Sequence, residues 1–441
     1  MVDQVLEHRI DRCITCGACL ADCPVMGLAP ERARRERVRL NLGARSGRVL
    51  ADCTSCLSCN VRCPQDCRPA HLTMSRWHES YQRNGLPARA AWYDPNHHPN
   101  FRTYVVARLP EDEQDMVRAW ADTSRCEEIL FPGCNMITAP YLLRTRLLHN
   151  LPVRGALGLC CGETYYRMGL IEPLRETAAK LEQVFGAMGV RRMVLPCTAG
   201  FNMFSRVLPR AGARFEFEVE HLLARLWRQV ADGTLTVGSG LGITVSIHDS
   251  CHAKVFGTAI LDLVRNLLNA IGVDVVEQPL IRERALCCGI GGGFSAASAY
   301  HPARIARATF RALRSAHQAD ADAIVVYCAG CLQMFSVGQQ MFPFFRKPVY
   351  HILELLQAAV GERPARRHRS RARLFLEGMV RYQAPALLSS ERTRVDLSGS
   401  GPVARHGLNR GSSPGTSPGS MAGSDHGSNR GPGQGGHHGR R

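Results

Sequence analysis

Two cysteine runs near the N-terminus restrict the chemistry of this chain more than any other feature. Cys13-Ile-Thr-Cys16-Gly-Ala-Cys19-Leu-Ala-Asp-Cys23-Pro24 follows C-x₂-C-x₂-C-x₃-C-P, and Cys53-Thr-Ser-Cys56-Leu-Ser-Cys59-Asn-Val-Arg-Cys63-Pro64 repeats it. This spacing holds paired [4Fe–4S] clusters: three close thiolates grip one cubane, and the fourth, carried off by the Pro-directed turn, reaches the other. On that logic Cys13, Cys16, Cys19 and Cys63 hold one cluster, and Cys53, Cys56, Cys59 and Cys23 hold the second. C-x₂-C pairs also bind zinc, but two identical four-cysteine runs, each closed by Pro, fit a pair of zinc sites poorly.

The chain has 441 residues, 45% hydrophobic and 21% charged, enough for several cores and incompatible with disorder throughout. Its 19 cysteines are odd in number, and the opening MVDQVLEHRIDRC lacks an apolar signal-peptide core. A secreted disulfide scaffold is therefore not expected, and thiolate ligation predicts a cytoplasmic location. No run reaches the roughly 18 apolar residues of a membrane span, so membrane contact is expected only peripherally or through a partner at the inner face. Composition marks a two-cluster region at 1–85, a linker at 86–124, α/β regions at 125–235 and 236–361, a basic extension at 362–397 and a disordered Gly/Ser/Pro tail at 398–441. Of the formal charge of +17, residues 362–441 supply +9, through 14 arginines and five acids. With no nucleic-acid module present, this stretch is read as solvated. The tail histidines His406, His426, His437 and His438 are read as inert. The run Arg32, Arg34, Arg35, Arg37 and Arg39 is read equally as a solvated face or a docking face for a redox partner.

In the middle of the chain, short apolar runs end at cysteines: Ile129 to Cys134, Met193 to Cys197, Ile243 to Cys251 and Ala323 to Cys328. Such runs read as buried strands, and helix-like stretches Pro173–Met188 and Pro302–His317 between them imply mainly parallel sheets with cysteines at strand ends. A duplication runs through the region. Cys134 pairs with Cys251, Leu159-Cys160-Cys161-Gly162 with Leu286-Cys287-Cys288-Gly289, Cys197-Thr-Ala-Gly200 with Cys328-Ala-Gly-Cys331, and Val219-Glu-His-Leu-Leu223 with Val349-Tyr-His-Ile-Leu353.

Adjacent cysteines make poor disulfides, because neighbouring Cα atoms lie about 3.8 Å apart and an unstrained bridge needs about 4.4–6.8 Å. Repeated Cys-Cys pairs therefore point to ligands. Gly289 and Gly291–Gly293 would let backbone approach a cluster and aim N–H groups at its sulfurs; as a nucleotide loop they miss the required spacing. Cys328-Ala-Gly-Cys331 alone could be a redox dithiol, and Cys251 between His248 and His252 a nucleophile, but each leaves the other cysteines unexplained. Cys67 and Cys126 are read as free thiols.

These features together resemble the heterodisulfide reductase family, and within it the D-type chain, which fuses a ferredoxin-like subunit with a cysteine-rich one. The resemblance spans about residues 8–360 and 17 of the 19 cysteines; iron–sulfur subunits of glycolate oxidase and anaerobic glycerol-3-phosphate dehydrogenase share the architecture. It implies an α+β, largely helical two-cluster ferredoxin-like domain followed by two duplicated α/β cysteine-rich lobes. It further implies a noncubane [4Fe–4S] cluster held by Cys251, Cys287, Cys288, Cys328 and Cys331. The upstream set Cys134, Cys160, Cys161 and Cys197 has Gly200 where a fifth cysteine would stand, and is expected to hold zinc or a further cluster. The implied function is electron transfer with a flavoprotein, cytochrome or quinone-linked membrane subunit, with disulfide reduction or dithiol oxidation at the downstream set. A non-catalytic electron-transfer adaptor and a zinc-stabilised interaction protein are the alternatives.

Overall fold

In the computed structural model, residues 4–238 and 240–393 are described; the expected disordered tail and its four histidines lie outside them. Among the described residues the strands are β1 (Leu86–Pro87), β2 (Glu128–Leu130), β3 (Arg192–Leu195), β4 (Glu218–His221), β5 (Ile243–His248), β6 (Val273–Val275), β7 (Ala323–Val326), β8 (Val349–His351) and β9 (Arg392–Thr393). β2, β3 and β4 form one parallel sheet with β3 central, and Val153 bridges Leu130 in parallel on the free side of β2. The second sheet is parallel in the order β6-β5-β7-β8. With Val153 in the place of β6, the two sheets have the same strand order.

Local chemistry explains the elements. All four side chains of β7 are apolar and buried, as required of a parallel strand covered on both faces. Pro302 opens the helix Pro302–His317 at its first position, and the His301 ring accepts the Ala303 N–H at 3.3 Å. The helix Ile171–Ala187 ends two residues before Gly189, whose φ is +68°. The repeated Val-x-His-x-Leu acquires a physical meaning. His221 and His351 end β4 and β8, and their rings accept the N–H of Leu223 and Leu353 at 3.1 and 3.3 Å, capping the next helix.

One continuous apolar core joins both sheets to the helix Pro69–Asn84 through Met74, Trp77 and Tyr81. Within it, Phe131, Phe185 and Phe204 meet edge to face at 5.3–5.9 Å, each pair adding about 0.5–1.5 kcal/mol beyond burial. A smaller core of Leu20, Leu28, Ala33, Leu40 and Val49 lies under the first cysteine run.

A stretch read as a linker and one read as solvated are both folded. Residues 86–124 contain the helices Phe101–Val106 and Glu111–Trp120, the first closed by a reciprocal Asn100–Thr103 cap. The basic stretch from 362, expected to be solvated, forms the helix His368–Gly378, which buries Arg371, Ala372 and Phe375. The physical reason is Glu113, a fully buried carboxylate whose two oxygens both accept from Arg371 Nη2 at 2.6 Å and which also pairs with Arg367. β9 then pairs antiparallel with β1. No helix among the described residues is long and apolar enough to cross a membrane.

Candidate functional site

The two N-terminal runs share one backbone path. Thr15 and Ser55, then Gly17 and Leu57, occupy matching positions with φ between +43° and +79°. At Gly17 the left-handed turn rests on the helix Pro30–Asn41, and a Cβ there would come within 2.6 Å of the Arg34 nitrogen, so only glycine fits. Cys13, Cys16, Cys19 and Cys63 surround one small pocket with Arg37 and Cys67. Cys23 is carried away and lies among Cys53, Cys56 and Cys59. Backbone N–H groups of Met26, Ser55 and Cys67 approach the sulfurs of Cys23, Cys53 and Cys63 at 3.3–3.4 Å. Cys16 and Ile14 (63% exposed) put the first set at the surface, whereas Cys56 is buried against the second sheet's loops. Cys67 sits beside Cys63 and Cys13, its thiol pushed up to about 12 by burial and by those neighbours. Cys126 bonds to the Glu128 carbonyl at 3.2 Å instead.

β2, β3, β5 and β7 lead at their carboxyl ends to Cys134, Cys197, Cys251 and Cys328. The loop after β5 is fixed by Asp249, which accepts from Arg265, Tyr327 and the Arg282 N–H at 2.8–3.1 Å. Cys251, Cys287, Cys288, Cys331 and Cys328 follow one another as thiol neighbours. Cys287 is held well below its ordinary value because Cys251 and Cys288 donate to its sulfur. Cys328 is held low in the same way by Cys197 and Cys331. Gly291 donates its N–H to Cys287 Sγ at 3.3 Å, and a Cβ there would lie 2.3 Å from the Thr54 carbonyl and 2.9 Å from that sulfur.

The upstream set divides. Cys134 and Cys160 sulfurs lie 3.6 Å apart with Cys161 beside them, while Cys197 Sγ reaches across to Cys328 Sγ at 3.7 Å. Thr198 Oγ1 ties this junction to the Tyr327 carbonyl at 3.2 Å. Both sets, Cys287 excepted, line a cavity of about 80 Å³, and Gly200 is on its wall. Among the described residues, no three His, Cys, Asp or Glu side chains are spaced to hold a single metal ion. Thiol donors arranged around voids, amides aimed at sulfur and a glycine cradle fit a multi-atom iron–sulfur group. His252 is not a ligand in this geometry: Nε2 faces Glu163 Oε1 and Nδ1 accepts from Asn202 Nδ2, both at 3.1 Å. Burial pulls His248 down to about 4, keeping it neutral.

Sequence reasoning missed three buried cations. Arg167 follows the first Cys-Cys-Gly by five residues and meets the sulfurs of Cys251 and Cys287; Lys254 follows Cys251 by three and bonds the Cys56 carbonyl and Ser58. Arg102 flanks Cys134 and Cys160. For Arg167 and Lys254 the one available signal was a basic residue set among apolar neighbours close to a cysteine motif; Arg102, far in sequence from any such motif, gave none.

Residues 9–67 match the family described as a 4Fe-4S dicluster domain, and residues 245–336 match the cysteine-rich domain family. Together with the geometry, these matches mark an iron–sulfur protein with a dicluster domain and a cysteine-rich domain. Its particular likeness is to the D-type chain of heterodisulfide reductase. That chain of the dihydromethanophenazine:CoB–CoM heterodisulfide reductase of Methanosarcina mazei is 24% identical over 402 residues, covering 81% of this chain and 95% of that protein. The EtfAB:quinone oxidoreductase of Syntrophomonas wolfei is 25% identical over 360 residues, 64% of this chain, which spans only 48% of that protein. A probable iron–sulfur-binding oxidoreductase of Bacillus subtilis is 35% identical over 133 residues, 30% of this chain and 18% of its own length.

Proposed function

We propose that this chain is an oxidoreductase subunit passing electrons between a redox partner and the cysteine site between its sheets. The observation that carries this reading is the continuity of thiols. The series begins at exposed Cys16 and runs through the set containing Cys56 to Cys287, bridged by Arg167, which donates to Ser55 Oγ at 3.1 Å and to Cys287 Sγ at 3.5 Å. It ends where Cys328 meets Cys197. When bound, [4Fe–4S] cubanes in the two N-terminal sets and a noncubane [4Fe–4S] cluster on Cys251, Cys287, Cys288, Cys328 and Cys331 supply one-electron transfer. The protein's own groups hold thiolate charge: N–H donors at sulfur, and Lys254 and Ser58, which keep Cys56 below its ordinary value against burial. At the downstream set the reaction is reduction of a disulfide by two electrons and two protons to two thiols, or its reverse. The matched strand orders support two related lobes at 125–235 and 236–361. The relatives' names support a quinone-linked or flavoprotein partner, through which the chain would meet a membrane.

Gly200 favours a second reading, an adaptor without substrate chemistry, since it leaves the upstream set one thiol short. Anaerobic purification should yield at least two [4Fe–4S] equivalents of iron and acid-labile sulfide; zinc without sulfide would refute the reading. Cys331→Ser should remove one paramagnetic signal and spare the cubanes. Turnover of a disulfide by the reduced chain with its partner would favour enzyme over adaptor.

A further inference from the structure

A charge enters a protein interior only where something balances it. Four enclosed cations stand at the cysteine sets: Arg37, held by Asn41 at the outermost set, and Arg102 are each 4% exposed, Arg167 1% and Lys254 0%. Arg167 uses all five of its N–H groups. Nε donates to Ser55 Oγ at 3.1 Å; Nη1 donates to Glu163 Oε1 at 3.2 Å and Cys251 Sγ at 3.3 Å; Nη2 donates to the Thr54 carbonyl and to Cys287 Sγ at 3.5 Å. It thereby joins the loop between Cys53 and Cys56 to the downstream set. Lys254 makes a second tie, from the Cys56 carbonyl and Ser58 to the Ala285 carbonyl at 2.5 Å.

Arg102 is less well provided for. Nη1 donates to the Tyr93 carbonyl at 3.0 Å, Nε has no partner, and the guanidinium covers the Phe101 ring at 4.2 Å. It has no carboxylate partner among the described residues; it lines the central cavity together with Cys134, Cys160 and Tyr300, and of these the two thiols are its nearest candidates for a balancing charge. In the internal repeat, Cys134 and Cys160 are the counterparts of Cys251 and Cys287. One buried arginine therefore stands against the same two cysteines of each lobe, supplied in both cases from outside that lobe. Arg102 comes from the helix Phe101–Val106 ahead of the first sheet, and Arg167 from the helix Glu163–Met168, between β2 and β3 of that sheet. The two arginines do not occupy equivalent places in the repeat, so the arrangement is not a by-product of duplication.

We propose that Arg102 and Arg167 are matched positioning residues, each the fixed counter-cation of one lobe's anionic metal–thiolate set, with Arg167 also holding the inner ferredoxin-type loop against the downstream set. Neutral thiols at Cys134 and Cys160 would leave Arg102 an uncompensated buried cation, which costs several kcal/mol; thiolates bound to metal remove that cost. The upstream set is on this account built for an anionic centre despite Gly200. The inference rests on the proposed function, because it takes the cysteines to be metal ligands.

The test uses the full chain purified anaerobically as wild type, Arg102→Met, Arg102→Lys, Arg167→Met and Arg167→Lys, with metal and sulfide analysis and potentiometric paramagnetic resonance. Arg102→Met should weaken metal binding at the upstream set alone by about 10–100-fold, with the ferredoxin-type signals unchanged and recovery in Arg102→Lys. Arg167→Met should shift the downstream centre to a more negative potential, because loss of a nearby positive charge disfavours the reduced form, while Arg167→Lys stays close to wild type. A purely structural role would change stability in the Met and Lys variants without separating their potentials. Wild-type metal content and potentials in both Met variants would overturn the proposal. So would a wild type with no metal beyond the ferredoxin-type and downstream sets, for Arg102. A wild type lacking iron and sulfide would remove the functional reading, and the proposal with it. Should the Met variants lose every cluster, the Lys variants decide: potentials and occupancy like wild type support charge compensation, and losses matching Met refute it.

Discussion

Burial pushes the Glu354 carboxyl up to about 7, against the pull of the His351 N–H and Arg366. His368 Nδ1, 3.9 Å away, is too far to hydrogen-bond and is itself held neutral by burial. In the unfolded chain this carboxyl ionises near 4.5, so it favours the folded state below that pH. The contribution is lost as pH rises to about 7, by at most about 3 kcal/mol. Glu354→Gln keeps an oxygen to accept the His351 N–H but cannot ionise. The unfolding free energy of the wild type should therefore fall relative to the variant between pH 4.5 and 7, and parallel pH curves would refute this. Gly200 is a second informative position: a Cβ there meets only Leu195 Cδ2 at 3.4 Å and Cys197 Cβ at 4.0 Å. Gly200→Cys should fold normally and raise iron and sulfide content or add a paramagnetic signal. Unchanged content would mean that the missing thiol is not what limits the upstream set.

The helix His368–Gly378 shows how a basic segment becomes interior. Its arginines meet Glu113, and Phe375 packs edge to face on Phe101 at 5.4 Å while lining the central cavity. At Gly378 a Cβ would lie 2.3 Å from the Trp92 ring. Arg371→Ala should leave Glu113 buried with Arg367 alone and destabilise the chain by about 3 kcal/mol, read from urea unfolding; a loss below about 1 kcal/mol would show that Arg367 suffices. The strands and the helix Pro302–His317 were legible because apolar runs and a Pro start are local signals. The helix at 368 was not, because its composition is that of a solvated stretch and its partner carboxylate lies some 250 residues upstream.

Across the molecule, the helix Pro30–Asn41 packs directly on the Gly17 turn of the outer cysteine set. Arg32, Arg34, Arg35 and Arg39 are exposed beside the Cys16 loop, with Leu42 (78% exposed) at the edge. Glu31 lies 3.9 Å from Arg35, a solvated pair that offsets little of this charge. An acidic electron carrier should reduce the chain faster at low ionic strength. Arg34→Glu with Arg35→Glu should slow that reduction about tenfold or more at low salt and converge with wild type at high salt. Reduction by a small uncharged dye should be unaffected, and equal rates with the acidic carrier at all salt concentrations would exclude this face as the docking site.

Cysteine chemistry was readable in one dimension. C-x₂-C-x₂-C-x₃-C and Cys-Cys-Gly are spacings of a few residues, so backbone geometry alone restricts what they can hold, and strand-to-cysteine runs placed them at sheet ends. The folded chain alone decided that Cys197 stands by Cys328 rather than with Cys134 and Cys160. It also decided that Arg102, Arg167 and Lys254 are among the buried charges around the thiols. Those contacts join residues 32 to 198 positions apart, and an enclosed cation is recognised only once everything that could balance its charge has been brought beside it.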